Sequence, residues 1–93
     1  MDRSMPFEAA DPKMLADLRS RKVVVGAKQL KKVLRTGQAN QVFLAENADP
    51  ALTEPIAAFC QNYGIDCAWV KTMSALGHAC GIDVGAAAAA VVG

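Results

Sequence analysis

Lys28, Lys31, Lys32 and Arg35 stand at i, i+3, i+4 and i+7. On a helix of 3.6 residues per turn these four cations share one face, while Ala27, Leu30, Val33 and Leu34 cover the opposite one. Lysine can donate to phosphate oxygens or to guanine O6 and N7, and the amide of Gln29 offers both a donor and an acceptor. Lys31, Lys32 and Arg35 suit phosphates, where they set affinity more than sequence choice. The remaining chemistry-bearing groups point to no reaction. Glu46 and Asp49 could be acid–base carboxylates, but Asp49 before Pro50 reads as a helix cap and Glu46 as the edge of the basic site. His78 is the only histidine, and no acid at a recognisable spacing orients it. Cys60, Cys67 and Cys80 lack C-x-x-C spacing, and nothing around them signals the lowered pKa of a nucleophilic thiol. They read as reduced, mostly buried thiols. The sequence therefore predicts no catalytic residue, no metal site and no cofactor. Neither G-x-x-x-x-G-K-[ST] nor G-x-G-x-x-G is present, so Gly26 alone does not make a nucleotide cradle.

The charge distribution is lopsided although the net charge is only +1. Between Asp17 and Glu46 there is no acid, and that window holds seven of the ten Lys and Arg residues. From Glu46 onward there are five acids and a single cation, Lys71. A basic side and an acidic side are the footprint of a nucleic-acid or phosphate binder, against the plainer reading of a solvated helix face. Ninety-three residues suit one small domain, and a 53% apolar content with only 5% aromatics predicts a core of small, closely packed residues. No signal peptide or membrane-length apolar run is legible, which with the cysteine usage predicts a cytoplasmic protein with no membrane partner.

The elements that must position the basic face follow from local pattern. Residues 1–10 read as a flexible leader, and 11–93 as the domain. Asp11-Pro12 starts a helix that carries Met14, Leu15 and Leu18 to about Ser20. Lys22 to Val25 is a strand covered on both faces, Gly26 a turn that a side chain would obstruct, and the basic helix follows to Thr36 with Gly37 as its left-handed stop. Gln41 to Ala45 is a second strand. Asp49-Pro50 opens another helix through Leu52, Ile56, Phe59, Cys60 and Tyr63, in which Pro55 is tolerable if regular structure begins near Thr53. Tyr63 and Trp69 read as core. Ile65 to Val70 is the third strand, and Thr72 or Ser74 caps a short helix that Gly81 closes. For Val84 to Val92 the five alanines favour helix by propensity, but the flanking Gly85 and Val91-Val92 suit a buried strand, which is the assignment taken. Alternating helices and strands give an α/β/α sandwich.

These residues resemble a known family, the ribosomal-protein L-seven-Ae and L-thirty-e superfamily of kink-turn RNA binders, and most of all its small bacterial members. The resemblance runs from about Lys13 to Val92, through VVGAKQLKKVL, VFLAENADP, Tyr63-Gly64-Ile65 and LGHACGIDVGAAA in that order. It implies a three-layer α/β/α sandwich with a four-stranded mixed sheet, which supports the strand reading of the alanines. It also implies a monomeric, non-enzymatic protein whose partner is structured RNA containing a kink-turn, the ribosome among the possible settings, and not DNA. The helix after the glycine would enter a major groove widened at tandem sheared G·A pairs, while a later loop shelters an unstacked nucleotide. Carried across position by position, Gly26 and Ala27 would bring backbone close to RNA, Lys28 and Gln29 take the places where archaeal and eukaryotic members have Asn and Glu, and Lys32 matches a basic residue one turn onward. The loop after Gly81, with Ile82, Asp83, Val84, Ala86 and Ala87, matches the recognition loop. Glu46 and Lys71 complete the expected site, and Met73 stands where some relatives place a lysine. An ordinary A-form major groove is too deep and narrow for side chains, so a helix reaches guanine edges only where bending or non-canonical pairing opens it. The alternative is a protein-interaction module of the same fold without specific RNA binding, which would carry acids on the first helix where this chain has bases.

Overall fold

A computed structural model describes the backbone of Phe7–Ala9, Leu18 and residues 22–92. The expected helix from Asp11 to Ser20 lies outside the described residues apart from Leu18, which is buried in the core. In chain order the elements are β1 (Phe7–Ala9), β2 (Val23–Val25), α1 (Ala27–Arg35), β3 (Ala39–Ala45), α2 (Pro50–Tyr63), β4 (Asp66–Val70), α3 (Met73–Ala79) and β5 (Ala88–Val92). The strands form one mixed sheet in the order β1-β4-β3-β5-β2. β3 runs parallel to β4 and antiparallel to β5, and β5 is antiparallel to β2.

Alternation along the strands divides the core into two layers, one on each face of the sheet. Phe43, Ala68, Ala89 and Val91 face Leu18 and the α3 residues Leu76 and Ala79. Val42, Leu44, Cys67, Ala88 and Ala90 face Leu30 and Leu34 of α1 and Ile56 and Cys60 of α2. The α/β/α sandwich and the mixed sheet are thus as expected. The alanine run is a strand between two neighbours, and its methyl side chains let helices close on both faces: Ala88, Ala89 and Ala90 are each fully buried. Its regular part begins at Ala88, four residues later than Val84, because Ala86 N–H donates to the Met73 carbonyl at 3.0 Å and ties the preceding segment to α3 as a loop.

Four expectations are corrected. Phe7–Ala9 falls in the stretch read as a leader, yet it adds a fifth, parallel strand on the outer edge of β4, pairing Phe7 with Cys67 and Ala9 with Trp69. Three residues are too few to display a period of two. The three valines of β2 are half-buried, because β2 is the sheet's edge rather than an interior strand. α2 begins at Pro50, so Pro55 lies inside the helix rather than in its first turn. Ala51 and Pro55 are both exposed, so the carbonyl that Pro55 cannot serve is open to solvent. Tyr63, finally, is not core: the residue is 69% exposed, and its ring packs against Phe59 with centroids 4.4 Å apart.

The helix that carries the basic face is fixed at both ends by backbone. Gly26 has φ 105 and ψ 137, a conformation that side-chain-bearing residues rarely adopt. Its N–H donates to the Ala88 carbonyl at 2.9 Å, which sets the start of α1 against β5. At the other end Gly37 takes φ 72, and the N–H groups of Gly37 and Gln38 donate to the carbonyls of Leu34 and Val33, a two-bond left-handed stop.

Candidate nucleic-acid interface

The segments that the sequence nominates meet at one end of the sheet. Gly26 follows β2, Glu46 follows β3, Lys71 follows β4, and the loop from Ile82 to Ala87 leads into β5, which runs the opposite way to β2 and β3. Backbone hydrogen bonds join these pieces side by side. Glu46 N–H donates to the Val70 carbonyl at 2.7 Å, Ala45 N–H to Ala87 at 2.9 Å, and Gly26 N–H to Ala88 at 2.9 Å. The start of α1 and the loop before β5 are therefore neighbours, although 55 or more residues separate them in the chain.

The start of α1 differs from those of the other two described helices. Asp49 caps α2 through its carboxylate, which accepts from Ala51 N–H at 3.0 Å. Thr72 caps α3, its hydroxyl accepting from Ala75 N–H at 2.9 Å, and Asn47 Oδ1 accepts from Met73 N–H at 2.8 Å. α1 has no side-chain cap and no acid in its first turn. Among the described residues the first-turn N–H groups of Ala27, Lys28 and Gln29 have no side-chain acceptor, and a Cβ at Gly26 would meet nothing within 4 Å. A helix amino terminus in open space carries partial positive charge and aimed donors, which favours an anion. Lys28, Gln29, Lys31, Lys32 and Arg35 are all exposed around it, with Gly26 and Ala27 half-buried beneath. Leu30 and Leu34 anchor the opposite face at 0% and 5% exposure. Arg35 sits at the far end of α1, about 13 Å from its start for a nine-residue helix.

The loop contributes differently from residue to residue. Val84 is 69% exposed, a large apolar group held out in solvent. Asp83 is exposed, Ile82 and Ala87 half-buried. Ala86 is only 3% exposed and belongs to the core, so its side chain cannot meet a ligand. The loop is seated on α3: Ile82 N–H donates to the Gly77 carbonyl at 3.0 Å, and Ala86 N–H to Met73. Glu46 and Lys71 are exposed at the adjoining strand ends. Sequence reasoning passed over Asn47 as a positioning group. Through Met73 it links the turn after β3 to the helix on which the loop rests, a bond between residues 26 apart that no local pattern announces.

The cysteines and the histidine considered for catalysis form no reactive group. Cys60 and Cys67 are buried at 0% and 3% exposure in the layer beneath α1 and α2. Their shared hydrogen bond lowers Cys60 and, with burial, pushes Cys67 well above the ordinary thiol range. Burial also raises Cys80. Of the three thiols, none combines exposure with a lowered pKa. His78 is exposed in the last turn of α3. Among the described residues there is no group of three or more His, Cys, Asp or Glu placed to hold a metal, and no helix is long and apolar enough to cross a membrane.

Residues 8–93 match the profile of the Ribosomal protein L7Ae/L30e/S12e/Gadd45 family. An "RNA-binding protein" of Bacillus pumilus is 41% identical over 70 residues, 75% of this chain and 85% of that protein. "RNA-binding protein YbxF" of Geobacillus stearothermophilus is 39% identical over 75 residues, 81% of this chain and 92% of that protein. The solved structure of the Giardia lamblia 15.5kD RNA binding protein superposes with a TM-score of 0.82 at 22% identity, covering 91% of this chain and 78% of that one, a likeness of fold.

Proposed function

Because the chain belongs to the Ribosomal protein L7Ae/L30e/S12e/Gadd45 family, we propose that it is a non-enzymatic RNA-binding protein that recognises kink-turn RNA and stabilises its bent state. The observation that carries this is the start of α1: a helix with no side-chain cap and no first-turn acid, opening over Gly26 beside exposed Lys28, Gln29 and Lys32. The N–H groups and Lys28 would face guanine edges and phosphates where G·A pairing widens the groove, and Gln29 would read a base edge through its amide. Lys31, Lys32 and Arg35 would neutralise phosphates along the strand. Val84, exposed on the loop that leads into β5, would offer an apolar surface for a nucleotide turned out of the stack, with Lys71 and Glu46 exposed at the adjoining strand ends.

The RNA is bent by selection. A site that fits the kinked form and not the straight one shifts the RNA equilibrium only by its differential affinity for the two. The partner is structured RNA holding such a kink, ribosomal RNA included, bound by one copy of the protein. Electrophoretic titration with a kink-turn RNA and with a version lacking its G·A pairs tests this. The intact RNA is expected to bind at least tenfold tighter, a difference of about 1.4 kcal/mol; equal affinities sink the proposal. In the same assay Lys32→Ala should weaken binding to both RNAs and lower the salt slope by about one unit or less.

A further inference from the structure

The carboxyl-terminal half of α1 faces a groove that shares only Lys31 and Arg35 with the proposed kink-turn site. Leu34 and Ile56 form its floor at 5% and 1% exposure, Pro55 and Phe59 its far wall, and Lys31 and Arg35 its rim. It continues past Arg35 and Phe59 to the exposed ring of Tyr63. Phe59 and Tyr63 pack as a tilted pair, 4.4 Å between centroids and 32° between planes, so that an aromatic surface stands at the end of an apolar slot. Among the described residues no carboxylate lines either part of the groove. Lys31 and Arg35 also line the basic face of α1 with Lys28, Gln29 and Lys32, so one pair of cations borders both surfaces.

We propose that this α1–α2 groove is a second RNA subsite, which takes an unpaired nucleobase against Tyr63 and Phe59 while Arg35 and Lys31 hold the phosphates on either side of it. The inference rests on the RNA-binding reading of the chain and extends it to single-stranded RNA next to the bound structure. An exposed ring next to cations is the arrangement that binds single strands: every base has a π-face to stack, and the cations follow the backbone. Continuity with the basic face decides for RNA over an acidic peptide, because a strand leaving the start of α1 along its cations arrives at this groove. Since stacking is tolerant of sequence, the subsite adds affinity without adding base choice.

The test is a titration of the intact protein with an octauridine, whose bases stack little on one another, followed by NMR and by fluorescence anisotropy. The ring protons of Tyr63 and Phe59 should shift together with the Arg35 side chain. Tyr63→Ser should weaken octauridine binding about five- to tenfold, the lower end of what a stacked base contributes, and Tyr63→Phe should restore it. Tyr63 is largely exposed, so a thermal melt should confirm that the Tyr63→Ser protein is folded. Unmoved ring signals, or equal octauridine affinity for wild type and Tyr63→Ser, would overturn the proposal, as would ring shifts with an acidic helical peptide and none with octauridine. If octauridine fails at the groove while kink-turn RNA is still preferred, only the subsite falls; if the kink-turn preference fails while the rings respond to octauridine, only the kink-turn reading falls.

Discussion

Replacing Gly77 by alanine is expected to lower the melting temperature by roughly 10 °C, as an overpacking cost of about 2 kcal/mol does in a domain of this size. Gly77 is buried in α3 with ordinary helical backbone, so its role is space and not conformation. An added Cβ would fall on the Val84 carbonyl oxygen, with the Val84 carbonyl carbon at 3.0 Å and Gly85 Cα at 3.1 Å. All three are backbone atoms, which cannot rotate away as a side chain tip can. Alanine's better helix propensity offsets this by about 1 kcal/mol at most. The strain falls on the loop that presents Val84, so the variant should also lose preference for kink-turn RNA over its G·A-deficient form while keeping its general affinity. A melt at or above the wild-type temperature would show that the loop is not seated on α3 in this way.

Charge reversal at the start of α1 should have the largest effect on binding. Lys28→Glu combined with Lys32→Glu removes two phosphate or base donors and places one carboxylate, at position 28, beside the first-turn N–H groups and a second one turn further on. Those N–H groups would then be partly satisfied by the protein itself, as the Asp49 carboxylate satisfies the start of α2. At about 1–3 kcal/mol for each of the two lost contacts, affinity should fall at least about thirtyfold. Both positions are exposed, and the gain from a first-turn acid at 28 is offset by the loss of a last-turn cation at 32, so stability should change little. A variant that binds RNA as the wild type does would remove this end of α1 from the interface.

Much of this arrangement is written locally in the chain. Gly26 and Gly37 bracket α1 as their positions suggest, Asp49-Pro50 and Thr72 start helices, and the cations at 28, 31, 32 and 35 are exposed opposite Leu30 and Leu34. What escaped the sequence depends on distant partners. The Phe7–Ala9 strand exists because β4 leaves an edge open, and nothing within three residues signals it. Ala86 goes with the recognition loop by its place in the sequence, but its N–H is bonded to the Met73 carbonyl and its side chain is buried in the core. Tyr63 continues the apolar spacing of α2, yet its ring lies exposed at the helix end. The alanine run is the reverse case: helix propensity is overridden because a strand of methyl groups is what lets two helical layers meet through one sheet.

If the site formed by the start of α1 and the Val84 loop prefers bent RNA, the bend itself can be measured. Fluorophores on the two arms of a kink-turn RNA, at low magnesium where the straight form dominates, report the inter-arm distance by energy transfer. Adding the protein should raise the transfer to a plateau at one protein per RNA, and the G·A-deficient RNA should show no rise at the same concentrations. Binding with no change in transfer, or an equal rise with both RNAs, would contradict the account.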